Sequence, residues 1–186
     1  MFSLLMSYSL AATPREVAHV YYLLNSGRPA EAQSEATDSL NGDPEDLWMQ
    51  VAWLYARVRG APAAAAEVVA TEQAWVALKP EDPVRRAALG FALMLQQTAK
   101  EPNSDWLPEK PGHWCDEVLP WFTPLPAAPE QGVRALSLRQ QILHACEQDD
   151  AADRAELLAM VDVTPGRCRR RSGWGWMGQW RPPRFR

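Results

Sequence analysis

Long apolar runs are missing from this 186-residue chain. The longest falls far short of the roughly 20 residues that cross a bilayer. "MFSLLMSYSLAA" has no Lys or Arg ahead of its short apolar centre, which argues against a secretory signal. Cysteine is scarce. Cys115, Cys146 and Cys168 are too few and too irregularly spaced for a disulfide framework, and an odd count leaves at least one thiol free. The reducing cytoplasm suits such cysteines best, so the thiols are expected to be reduced and dispensable. Alternation with a period of two is absent over any useful length, which excludes a convincing strand. No Gly-rich phosphate loop, nucleophile elbow or His-Glu-x-x-His occurs, so no catalytic residue and no cofactor is assigned and the chain reads as non-enzymatic.

Acid is missing from the end of the chain. Everything after Thr164 holds seven Arg and no Asp or Glu, leaving residues 1–164 with twelve Lys and Arg against all 23 acids, a net of −11. Such a body does not offer the cationic surface that nucleic acid needs. The size and the 47% hydrophobic content suit one globular domain with a sizeable core.

What is present is helical signal. "TP" at Thr13-Pro14 pairs a hydroxyl cap with Pro at the first helical position, opening a helix at 14–26 that stops at Gly27. Further helices are expected at about 29–41, 48–60, 62–78, 83–98, 112–119, 130–147 and 151–161. The fold class is therefore all-α. The chain divides into a helical-repeat core at 12–98, a Pro- and Trp-rich loop with a short helix at 99–129, C-terminal helices packing on the core at 130–163, and an Arg- and Trp-rich tail at 164–186. A loop that long inside a domain packs or functions, and its three tryptophans favour packing.

The helices repeat with spacings of the tetratricopeptide kind, a 34-residue helix-turn-helix unit. Gly27, Ala32 and Asp43-Pro44 fall at its turn glycine, small second-helix residue and closing proline. A second unit opens with Trp48-x-x-Val51-Ala52-x-x-Tyr55, and its closing Pro80 comes four residues late. Leu89-Gly90 falls in register in a third. The competing reading is a plain irregular helical domain, because Ala-rich amphipathic helices accept many degenerate repeats.

"LLNSGRPAEA", "WLYARVRGAPAAAAEVV", "ALGFALMLQQ" and "HWCDEVLPW" resemble, in order, the small tetratricopeptide-like chaperones of bacterial type III secretion that hold needle subunits. "AAAAEVVATEQAWVALKPEDPVRRAA" is similar to uncharacterised helical proteins encoded beside type VI secretion components. The resemblance implies a chaperone or adaptor that takes a partner helix, such as a secretion-apparatus subunit, in a concave groove. Carried over residue by residue, that groove is lined by Val17, Tyr21 and Leu24, then Met49, Trp53 and Ala56, then Ala87, Phe91 and Met94. Trp53 stands about 140° from Trp48 around the helix, so one helix shows two apolar faces. Trp48, Val51, Ala52 and Tyr55 would make the seam between helices, and Trp53 would face the groove, which either takes a partner helix or is filled by the later helices or the Trp-rich loop of the same chain.

Two His-x-Cys pairs, His113-x-Cys115 and His144-x-Cys146, have a zinc-like composition. Helical residues two apart point about 200° from each other, so no metal site is assigned. His19 reads as a packed or surface histidine. The acidic pairs Glu45-Asp46, Glu81-Asp82 and Asp149-Asp150 fall at helix starts or between helices, where carboxylates suit the helix dipole. In the tail, Arg169, Arg170 and Arg171 precede Trp174, Trp176 and Trp180, a mixture of cations and stacking surfaces. An alternative function is therefore binding of nucleic acid or an anionic membrane through that tail.

Overall fold

The computed structural model describes residues 12–100, 112–125 and 129–162. Local sequence explains where its helices begin. Thr13 and Glu16 form a reciprocal capping box, with Thr13 N donating to Glu16 Oε2 at 2.7 Å and Glu16 N to Thr13 Oγ1 at 3.3 Å, and Pro14 opens α1 (Pro14–Asn25). Gly27 ends it at φ 72, a left-handed conformation that glycine adopts without a Cβ penalty. Pro29 starts α2 (Pro29–Gly42). Asp46 caps α3 (Leu47–Gly60), and Asp82 caps α5 (Pro83–Thr98). Between them a 3-10 turn at Pro62–Ala64 runs into α4 (Ala65–Leu78). The loop yields the five-residue α6 (Trp114–Val118) and a 3-10 turn at Leu119–Phe122. Two helices follow, α7 (Pro129–Ala145) and α8 (Ala151–Asp162). No strand occurs among the described residues, so the all-α reading holds.

Neighbours in sequence are neighbours in space. The α1–α2 pair packs on α3, α4 packs on α5, and α1, α3 and α5 touch in succession. One apolar cluster lies between α1, α2 and α3, and includes Val20, Leu23, Ala32, Ala36, Met49 and Ala52. The larger one joins α3, α4 and α5 to the later helices through Leu47, Val51, Phe91, Met94, Phe122, Leu138 and Ile142. The segment at 12–98 therefore closes its core only with residues from α6, the second 3-10 turn and α7.

Arg86 fastens the Pro-rich segment to α5. Its Nη2 donates to the carbonyl oxygens of Thr123 at 2.8 Å and Pro120 at 3.1 Å, and its guanidinium lies 5.3 Å from the Trp121 ring centre. Trp114 is buried beneath the same segment, in line with the packing expected of the loop tryptophans, whereas Trp106 lies outside the described residues.

The thiol expectation is corrected. Cys115 and Cys146 form a disulfide across 31 residues of sequence. Both are buried, at 4% and 7% exposure, and Cys168 lies outside the described residues. The ground for preferring a reducing compartment is thereby removed.

Candidate functional site

The residues expected to line a groove are mostly core. Met49 and Met94 are 0% exposed, Phe91 2% and Leu24 7%. Val17, Tyr21 and Trp53 are half-buried and pack against the cluster of α1, α2 and α3. Trp53 Nε1 donates to the Thr37 hydroxyl on α2 at 3.1 Å. These seven side chains therefore form no open groove, and the physical reason is the direction of the two faces of α3. Met49, Ala52 and Ala56 face α1 and α2, while Leu47, Val51, Leu54 and Val58 face the larger cluster. Both faces are seams, and Trp53 extends the first. Helix α5 is buried on nearly every side, since Ala87 through Ala92 are all buried. Its unbroken run "AALGFAL" carries that signal, because a helix apolar all round has neighbours all round.

Among the buried polar residues, Asp46 and Glu72 lie beside α3, while Asp153 pairs with Arg139 between α7 and α8. Asp46 is 0% exposed, and both of its carboxylate oxygens have partners. Oδ1 accepts from Met49 N at 3.1 Å and pairs with Arg134 Nη1 at 2.8 Å, while Oδ2 accepts from Ala12 N at 3.1 Å. The adjacent Leu47 N donates to Gln131 Oε1 at 3.2 Å. Tyr21 packs edge-on against Trp48 with ring centres 6.1 Å apart. Burial first, and the Asp46 carboxylate second, push the Tyr21 phenol far above its ordinary range. This knot joins α1, α3 and α7. Sequence reasoning placed Asp46 at a helix start and missed its partner, because a separation of 88 positions between Asp46 and Arg134 leaves no local signal.

The second group lies where α3, α4 and α5 meet. Glu72 on α4 is 7% exposed, and its Oε2 has no hydrogen-bond partner among the described residues; Gln50 Oε1 on α3 is in the same position. Burial raises the Glu72 carboxyl, and the Arg85 guanidinium opposes that shift. Arg85 itself lies 5.0 Å from the Trp75 ring centre and donates to the Pro44 carbonyl oxygen at 3.4 Å, an oxygen that also accepts from Gln50 Nε2.

His19 is exposed, with Nδ1 2.9 Å from Glu35 Oε2, which matches the surface reading. Cys115 and Cys146 are bonded to each other, and among the described residues no group of three or more His, Cys, Asp or Glu is arranged to hold a metal ion. The tail residues Arg169, Arg170, Arg171, Trp174, Trp176 and Trp180 lie outside the described residues.

The apolar surface that does reach solvent is on α4. Ala65, Val68, Val69 and Val76 face the core, while Ala66, Ala70, Ala74 and Ala77 form an exposed stripe on the opposite side. Leu78, 75% exposed, borders it at the end of the helix, whereas Trp75, 47% exposed, lies on another face beneath Arg85. The sequence reading places a helix at 62–78 and assigns its alanines no binding role. No helix among the described residues is long and apolar enough to cross a membrane. No family model, curated protein or solved structure matches the chain, so the candidate site stands on its own geometry.

Proposed function

We propose that this protein is a non-enzymatic helical adaptor or chaperone that holds an apolar helix of another protein against the outer face of α4. The observation that carries the reading is the double-sided apolar character of α4, with Ala66, Ala70, Ala74, Ala77 and Leu78 exposed opposite a buried valine face. A small-residue stripe lets a second helix approach closely. Leu78, at the border of the stripe, supplies a larger side chain from which binding energy is drawn. The succession of α1, α3 and α5 supports a repeat-like scaffold. The place in bacterial protein secretion rests on the sequence resemblance, and the groove of that family gives way here to an outer helix face.

The test begins with the partner recovered from the native cells by cross-linking, from which a peptide spanning its contact helix is made. Ala70→Glu should weaken that peptide at least about tenfold, since a carboxylate would be desolvated at the centre of the contact. The unfolding midpoint should stay within experimental error, because residue 70 is exposed. Equal affinity for the variant and the wild type would defeat the reading. Removal of residues 167–186 should leave the peptide bound; loss of binding there would favour the tail-mediated alternative.

A further inference from the structure

Helix α8 packs on α7 and makes no comparable contact with the rest of the described chain. The pair is therefore attached through α7 alone. In its first half α7 is pinned by Arg134 to Asp46 and by Gln131 to Leu47 N. Directly after its last turn, Cys146 is bonded to Cys115 on α6. That short helix sits on α5 and the 3-10 turn clasped by Arg86, so the bond joins the far end of α7 to the body of the fold. Beneath α7, Leu138 and Ile142 share the cluster of Phe91, Met94 and Phe122.

A left-handed cap ends α7 and leads to a weakly held α8. Glu147 holds φ 55, a left-handed conformation adopted here without the freedom of glycine, and Gln148 N closes the helix by donating to Leu143 O at 2.9 Å. Most of the described side chains of α8 are exposed, including Leu158 at 62%. Segments with few buried apolar contacts open at lower free energy than the core does.

We propose that the Cys115–Cys146 disulfide is a redox latch that decides whether the α7–α8 pair stays closed on the helical body. A dithiol reductant opens it. One thiolate attacks a sulfur of the bond and expels the other as a thiolate, leaving a mixed disulfide. The second thiol of the reductant then displaces the protein sulfur. Two electrons and two protons pass to the protein, which keeps two thiols, while the reductant leaves as its own disulfide. Because both cysteines are buried, attack waits on opening at the end of α7, and the cut bond makes later opening more frequent. Opening withdraws Leu138 and Ile142 from the larger apolar cluster and so exposes apolar surface that the latched form conceals.

The test is amide hydrogen exchange on the full chain, with and without a dithiol, and on a Cys115→Ala/Cys146→Ala variant. Reduction should speed exchange in α7 and α8 by at least about tenfold, while α1, α2 and α3 change less than about twofold. The double variant should exchange like the reduced protein and ignore the dithiol. Unchanged exchange in α7 and α8 on reduction, or equal acceleration in every helix, would overturn the proposal, and wild-type protein alone decides this if the variant fails to fold. Thiol titration of the unfolded chain gives an independent reading. Two thiols should appear on adding dithiol, and three free thiols in oxidising and reducing buffer alike would also overturn it.

Discussion

Asp46 and Glu72 are both buried carboxylates, and their surroundings set opposite consequences. Asp46 has two backbone donors and an arginine, whereas Glu72 leaves one oxygen without a partner. Burial raises the Glu72 carboxyl above its unfolded value of 4.5, so the folded state holds that proton more tightly than the unfolded chain does. Both states are protonated well below 4.5 and no penalty exists there. Stability is then lost as pH rises from 4.5 through the raised folded value, because the unfolded chain releases its proton first. Glu72→Gln should therefore stabilise the protein by about 1 kcal/mol at neutral pH, the scale of one poorly satisfied buried group, with the gain vanishing near pH 4. Denaturant titrations of both proteins across pH 4–7 measure the difference, and Asp153, also raised by burial, is common to both and cancels. A variant equal to wild type throughout would show that Arg85 already satisfies the carboxylate. The caps Thr13, Asp46 and Asp82 were legible in the sequence because capping is local. The partners of Arg134, Cys115 and Cys146 were not, since each lies on an element far along the chain.

At the scale of elements, helix positions were legible and helix faces were not. Pro, Gly and Asp punctuate the boundaries of α1, α2, α3 and α5, and those signals act within a turn or two. Which apolar stripe faces which neighbour depends on the other helices, so Trp53 and Trp48 could exchange roles on a helix with two apolar faces. Gly90 illustrates the difference. Its repeat position predicts a small residue where elements approach closely, and close approach occurs, with the 3-10 turn as the neighbour. A Cβ at residue 90 would stand 2.7 Å from Phe122 Cε2 and 3.0 Å from Trp121 Cβ. Phe122 is 1% exposed, and the Trp121 atom adjoins backbone that Arg86 holds, so neither yields easily. Replacement of Gly by Ala favours the helix by about 1 kcal/mol, while overpacking costs about 1–3 kcal/mol. Gly90→Ala should thus be destabilising by about 1 kcal/mol in chemical unfolding, and Phe122→Leu should recover part of that loss when combined with it. A Gly90→Ala protein more stable than wild type would mean that the 3-10 turn moves aside.

Across the whole molecule, the first hairpin and the last two helices belong to one body because a few long-range links cross it. Asp46 carries the most direct, accepting from Ala12 N at the start of the described chain and pairing with Arg134 on α7. Two charges in the interior rarely stabilise a fold more than apolar groups would, yet removal of one strands the other at high cost. Arg134→Met should leave the Asp46 carboxylate at 0% exposure with only its two backbone donors, and should destabilise the protein by about 3 kcal/mol. Asp46→Asn keeps the helix cap, since Asn caps as well as Asp, and should cost less. In the double variant the stranded charge is gone, so its loss should fall short of the two single losses together by more than about 1 kcal/mol, the size of coupling expected within one polar network. Unfolding followed by tryptophan fluorescence and by far-ultraviolet circular dichroism should give coincident midpoints for the wild type, as one cooperative body requires. Strictly additive losses would show that Asp46 and Arg134 act independently, and the apolar cluster, the Gln131 hydrogen bond and the disulfide would then be what joins α7 to the core.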